Sequence, residues 1–173
     1  MTENQMEANR DEDIELVITR DFAAPRAKVF AALTEAEHLR HWWGPTGFTM
    51  EVARVDLRPG GLFHYKMSSP DGNALWGRFV YREISAPEKL IFVNAFSDEE
   101  GGAVRAPFHP AWPLEVRNTL TFMERNGTTT LVMRGIPDAG SPEELQIFKE
   151  GHELIRQGFS GTLDQLADYL TKI

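Results

Sequence analysis

From Phe48 to Arg134 the chain alternates apolar and polar residues, and the links between alternating runs are only a few residues long. A period of two belongs to a strand with one buried face. It predicts strands at 49–57, 61–68, 75–84, 90–96, 114–124 and 128–134. Between them Arg58-Pro59-Gly60-Gly61, Pro70-Asp71-Gly72-Asn73, Ala86-Pro87-Glu88-Lys89 and Arg125-Asn126-Gly127 read as turns. Asn126-Gly127 is the strongest hairpin signal among them. Parallel neighbours need a crossover of about a dozen residues or more, so links this short restrict the sheet to an antiparallel meander.

The flanks complete the architecture. Residues 14–22 (IELVITRDF) read as a further strand, and Pro25 opens a helix with Val29, Phe30, Leu33 and Ala36 at helical spacing. That helix falters near Leu39–Trp43 and ends by Gly44-Pro45. Ser141-Pro142-Glu143-Glu144 supplies an N-cap, a proline at the first helical position and the acid of a capping box. The helix it starts is predicted to run to about residue 172, with Phe148, Ile155, Phe159, Leu163, Leu166 and Leu170 as its apolar stripe. Gly151, Gly158 and Gly161 each cost about 1 kcal/mol there relative to alanine, so close packing, a bend or simple tolerance must account for them. The order strand, helix, six strands, long helix predicts an α+β fold in which a curved antiparallel sheet wraps a long C-terminal helix. One helix cannot fill a wide curved sheet, so a cavity is expected between them.

Composition narrows the function. Of 18 aromatic residues, 13 lie between Trp42 and Phe122, on the sheet, its entry turn and one long loop. The net charge is −8, of which residues 1–13 carry −4 (five acids, one base). That segment has no apolar periodicity and reads as a solvated, disordered tail before a single domain at 14–173. An acidic chain without a Lys/Arg run predicts no nucleic-acid partner. There are no cysteines, which excludes disulfides and thiolate chemistry and agrees with a cytoplasmic location. No apolar run approaches the roughly 18 residues of a membrane span.

Several motifs stand in a definite order: Trp42-Trp43-Gly44-Pro45, then Asp56-Leu57-Arg58-Pro59-Gly60-Gly61, then Gly77-Arg78-Phe79 with Ser85-Ala86-Pro87-Glu88-Lys89-Leu90, then Gly158-Phe159 with Thr162-Leu163-Asp164-Gln165-Leu166. In these the chain resembles the activator of Hsp90 ATPase homologue-like family of the START-like or SRPBCC superfamily, over residues 14–172. The resemblance implies the helix-grip (Bet v 1-like) fold. It also implies binding of lipids, sterols, polyketides or other apolar ligands, or a stress-response interaction with a chaperone, with some superfamily members acting as cyclases or hydrolases. Eukaryotic activators add an N-terminal domain with an Asn/Trp-rich motif, to which residues 1–13 do not correspond.

The leading expectation is therefore non-catalytic binding of a small hydrophobic molecule by a monomer or homodimer, without cofactor or metal. Strand phase puts Phe63 with Tyr65, Phe79 with Tyr81, Phe92 with Phe96, and Leu120 with Phe122 on common faces. These residues, with Trp43, Phe148, Ile155 and Phe159, are expected to line the cavity, and Asn94 and His152 to orient the ligand. His152 is also the one candidate acid or base for a reaction. The loop at 97–113 is read as a lid carrying Phe108 and Trp112, as a loop completing the core, or as an exposed polyproline II ligand, since Pro107, Pro110 and Pro113 are three apart. His38 and His41 lack a third ligand in the sequence and read as helix-end histidines. No Gly-x-Ser-x-Gly and no phosphate loop is present.

Overall fold

A computed structural model describes residues 13–173; the expected tail, apart from Asp13, lies outside them. In chain order the elements are β1 (Leu16–Phe22), α1 (Arg26–Thr34), α2 (Ala36–Trp42), β2 (Thr49–Val55), β3 (Leu62–Ser68), β4 (Ala74–Ser85) and β5 (Lys89–Ser97). There follow β6 (Ala103–Val104), β7 (Val116–Arg125), β8 (Thr128–Pro137), α3 (Pro142–Glu150) and α4 (His152–Leu170). The sheet order is β1-β8-β7-β5-β4-β3-β2, antiparallel throughout. This is the predicted meander with the first strand returned to its far edge. Asn126 (φ 52°) and Gly127 (φ 78°) close the β7–β8 hairpin in the left-handed conformation that an Asn-Gly link favours.

Three elements depart from expectation. The 97–113 segment contains β6, which pairs with the end of β5 through Phe96–Val104 and Ser97–Ala103. The helix after Pro25 is two helices, because Glu35 is extended (φ −95°, ψ 133°) and interrupts the backbone ladder. The C-terminal helix is likewise divided at Gly151 into α3 and α4. A Cβ at Gly151 would stand 2.9 Å from Cζ3 of Trp112, so the glycine serves both the break and the close approach of a ring. At the start of α3 the capping box forms in full, with Ser141 Oγ accepting from the Glu144 N–H and Glu144 Oε1 accepting from the Ser141 N–H.

The two ends of α4 pack differently. Leu163, Leu166 and Leu170 are buried against the sheet with Val29, Phe30 and Leu33 of α1 and Leu39 and Trp42 of α2. Phe30 meets Phe122 edge-on at 5.2 Å. Toward the N-terminal end Ile155 and Phe159 are only part-buried. The sheet thus has one end sealed by α1, α2 and α4, and one end covered by the start of α4 with α3 and the loop after β6.

Leu166→Ala is expected to lower unfolding free energy by about 2–5 kcal/mol, the cost of a large-to-small change at a site with no exposure. Ser141→Ala removes one cap and is expected to cost only about 1 kcal/mol. Urea denaturation of both variants checks the ranking.

Candidate functional site

The inner face of the sheet is set by cross-strand register. One row pairs Leu16 with Gly135, Gly135 with Asn118, Asn118 with Phe92 and Phe92 with Tyr81. The next pairs Val116 with Asn94, Asn94 with Phe79 and Phe79 with Phe63. A third pairs Phe96 with Gly77 and Gly77 with Tyr65. Where these rows run toward the less covered end of α4, a cavity of about 300 Å³ remains. This is at the small end of the range for sites that bind organic molecules, about 300–1,000 Å³.

Ten of the sixteen residues expected to line such a cavity border it. From the sheet come Phe79, Phe92, Asn94 and Phe96; from the helices and their loops Trp43, Phe108, Trp112, Phe148, Ile155 and Phe159. Phe79 and Phe92 stack at 4.0 Å with an interplanar angle of 12°. The structure places the other six elsewhere. Phe63, Tyr81, Leu120 and Phe122 share the inner face but are buried in the closed core, where Phe122 meets Phe30 of α1. Tyr65 borders a neighbouring chamber. His152 packs edge-on against Phe148 at 5.3 Å, but its Nε2–H donates to the Ile14 carbonyl at 2.7 Å and the ring is not in the lining. Strand phase distinguishes inner from outer faces, but it does not say which end of the sheet a helix covers.

Asn118 is a lining residue that the sequence reading omitted, although it is in phase with Leu120 and Phe122. Its Nδ2 donates to Asn94 Oδ1 at 2.6 Å and to the Val116 carbonyl at 3.1 Å. The two amides form the polar spot of an otherwise apolar wall that contains no charged side chain. Gly135 provides the room: a Cβ there would stand 3.3 Å from Asn118 Oδ1.

The mouth is formed by the loop after β6. Phe108 lies edge-on to Phe96 (5.8 Å) and to Trp112 (5.3 Å), and Trp112 leans on Phe148 (5.6 Å). Trp112 thereby wedges the loop against Gly151, while Phe108 is 62% exposed. The spaced prolines do not form polyproline II. The Trp112 N–H bonds to the His109 carbonyl at 3.2 Å and the Ala111 N–H to His109 Nδ1 at 2.9 Å, which closes a turn.

At the inner end stands Trp43. Adjacent residues point apart, and Trp42 turns into the core, where its Nε1–H donates to the Ala32 carbonyl at 2.8 Å. The Trp43 ring meets Phe79 at 5.1 Å, Phe159 at 5.7 Å and Tyr65 at 6.2 Å, all edge-on. The turn that carries it is tied to α4, because the Gly44 carbonyl accepts from Thr162 Oγ1 (3.0 Å) and Gln165 Nε2 (2.8 Å). Beyond Trp43 and Phe159 is the second chamber, of about 200 Å³, bounded by Gly44, Pro45, Tyr65, Met67, Gly158 and Thr162. Tyr65 is held across Gly77, where a Cβ would stand 2.4 Å from its hydroxyl oxygen. Burial pushes the Tyr65 phenol up to about 12, with the neighbouring Trp43 N–H acting in the opposite direction. Burial also raises Tyr81.

Other candidates lack this character. A groove of about 490 Å³ between α2 and the free edge of β2 carries Glu37, Arg40, Glu51 and Arg54 and no aromatic ring. His38 is engaged with Tyr169 (Nδ1 to hydroxyl, 2.6 Å) and Glu35 (Nε2 to Oε2, 3.1 Å), and His41 stacks on Tyr169 at 5.4 Å. Among the described residues no helix is long and apolar enough to cross a membrane.

Two outcomes follow from the packing of Tyr65. Gly77→Ala is expected to displace the Tyr65 ring and destabilise the fold by about 1–3 kcal/mol, read by thermal or urea unfolding. In alkali the folded state keeps phenol protons that an unfolded chain loses near pH 10. Stability is therefore full below about pH 10 and falls as pH rises toward 12, by up to about 1.4 kcal/mol per unit for each such phenol. Urea midpoints compared between wild type and Tyr65→Phe from roughly pH 9 to 11 measure the Tyr65 share, and a smaller decline is expected in the variant.

The family model described as activator of Hsp90 ATPase homolog 1-like protein matches residues 23–171. No curated protein matches the chain. A crystal structure of a Mycobacterium smegmatis protein is 29% identical, with 91% of this chain and 90% of that one aligned at a TM-score of 0.71. A solution structure from Arthrobacter aurescens shares the fold at 23% identity, TM-score 0.77, over 94% of this chain and 89% of that one. So does the AHSA1 protein of Silicibacter pomeroyi, at 20% identity and TM-score 0.67 over 91% and 97%. With a helix-grip fold of this kind and a family match that runs from just after β1 to the end of α4, the chain belongs to the activator of Hsp90 ATPase homolog 1-like family.

Proposed function

We propose that the protein binds a small, uncharged, largely apolar molecule in the cavity between sheet and α4 and performs no chemistry on it. The observation that carries this reading is the lining itself: stacked and edge-on rings, one asparagine pair, and no charged group. Burial of apolar area supplies affinity at about 25 cal/mol per Å². The Asn94–Asn118 pair supplies orientation, because with Asn118 Nδ2 donating to Asn94 Oδ1 the Asn94 Nδ2 is left to donate to a ligand. An ionic ligand would leave its charge unpaired against this wall, which costs several kcal/mol.

A docking role toward a chaperone is the second reading. The family match and the exposure of Phe108 at the rim favour it. Titration against purified Hsp90 decides it; no binding at micromolar concentration removes it.

N-phenyl-1-naphthylamine, a neutral probe that brightens in apolar sites, is expected to bind at one saturable site. Trp112→Ala, which removes one wall, is expected to weaken it about tenfold or more. Leu154→Ala, on the exposed side of the same helix, is expected to leave it unchanged. Absence of saturable binding would overturn the reading.

A further inference from the structure

Among the described residues the buried Trp43 Nε1–H meets no hydrogen-bond acceptor. Its ring lies edge-on to Tyr65 at 6.2 Å. Tyr65 itself borders the second chamber. The Gly44 carbonyl there is already engaged by Thr162 Oγ1 and Gln165 Nε2. Among the described residues the Tyr65 hydroxyl donates to no protein acceptor, and the chamber holds no basic or acidic side chain. Buried polar groups are rarely left unpaired, and a functional ligand is one explanation for an exception.

Resting on the ligand-binding reading above, we propose that the second chamber is the acceptor-binding end of a two-chamber ligand site. It takes the carbonyl-type oxygen of a neutral, flat or elongated apolar molecule whose body occupies the larger chamber. Tyr65 donates to that oxygen. Trp43 and Phe159 border both chambers, so one ring edge of the ligand passes along them. A carboxylate is disfavoured because neither lining holds a cation. A hydrocarbon is disfavoured because it leaves the phenol unpaired. Because burial holds the phenol near 12, the donor stays protonated across physiological pH.

The test compares Prodan, a neutral naphthyl ketone whose emission moves to the red when its carbonyl accepts a hydrogen bond, with 2-dimethylaminonaphthalene, the same ring system without the ketone. Prodan is expected to bind about tenfold more tightly, the scale of one hydrogen bond made in a buried site. Tyr65→Phe is expected to abolish that advantage and shift bound Prodan emission to the blue. Gly158→Leu adds a side chain at the border of the second chamber, where nothing lies within 4 Å of a Cβ. It is expected to weaken Prodan about tenfold while leaving the amine within about twofold, and it carries the test if Tyr65→Phe does not fold. If both probes bind wild type but Prodan is indifferent to Tyr65→Phe and Gly158→Leu, the acceptor subsite is overturned and the apolar cavity stands. If neither probe binds, the cavity reading falls and the subsite falls with it.

Discussion

A sheet of seven strands in line presents more inner surface than one helix can cover, and the placement of everything else follows from how the excess is met. At one end α1 and α2 join α4, and the rings of Phe30, Trp42 and Phe122 fill the space completely. At the other end Ile155, Phe159, Phe148, the turn carrying Trp43 and the loop carrying Phe108 and Trp112 face the sheet around a void. There the rings of Trp43, Phe79 and Phe159 meet edge-on and border a void. The cavity is thus a packing consequence of where the two short helices stop.

Much of this was legible in the chain. The period of two, the Asn126-Gly127 link and the Ser141 capping box led directly to the meander, its β7–β8 hairpin and the start of α3. The inner face was legible as well, since Phe79, Phe92 and Phe96 project inward as their phase requires. What phase could not supply was position along the sheet. Phe63, Leu120 and Phe122 have the same pattern as Phe79 and Phe92, yet the first three lie in the closed core and only the last two border the cavity. The division of the last helix at Gly151 depends on Trp112, 39 residues away in sequence, and no local rule connects the two. His152, one turn from Phe148, was expected to face the cavity and orient a ligand. Its ring instead takes the Ile14 carbonyl at the margin of the sheet.

Two small residues on the inner face matter as much as the rings. Gly135 leaves space for Asn118 to turn toward Asn94, and Gly77 lets the Tyr65 ring lie flat across its strand. Both glycines are interior to strands, where glycine is ordinarily unfavourable, and both mark the close approach of a polar side chain. Each of the two polar features at the site, the amide pair and the phenol, is built beside one of them.

The uneven support of α4 has a consequence for how the molecule breathes. Its C-terminal half shares a core with two other helices and can open only with the whole domain. Its N-terminal half, with α3 and the loop carrying Trp112, rests on rings that border a void, so local opening there costs less than global unfolding. Amide exchange along α4 should accordingly be graded, fast near Ile155 and slow near Leu166. An occupant of the cavity would make the contacts that this end lacks, and it would act as the missing piece of core.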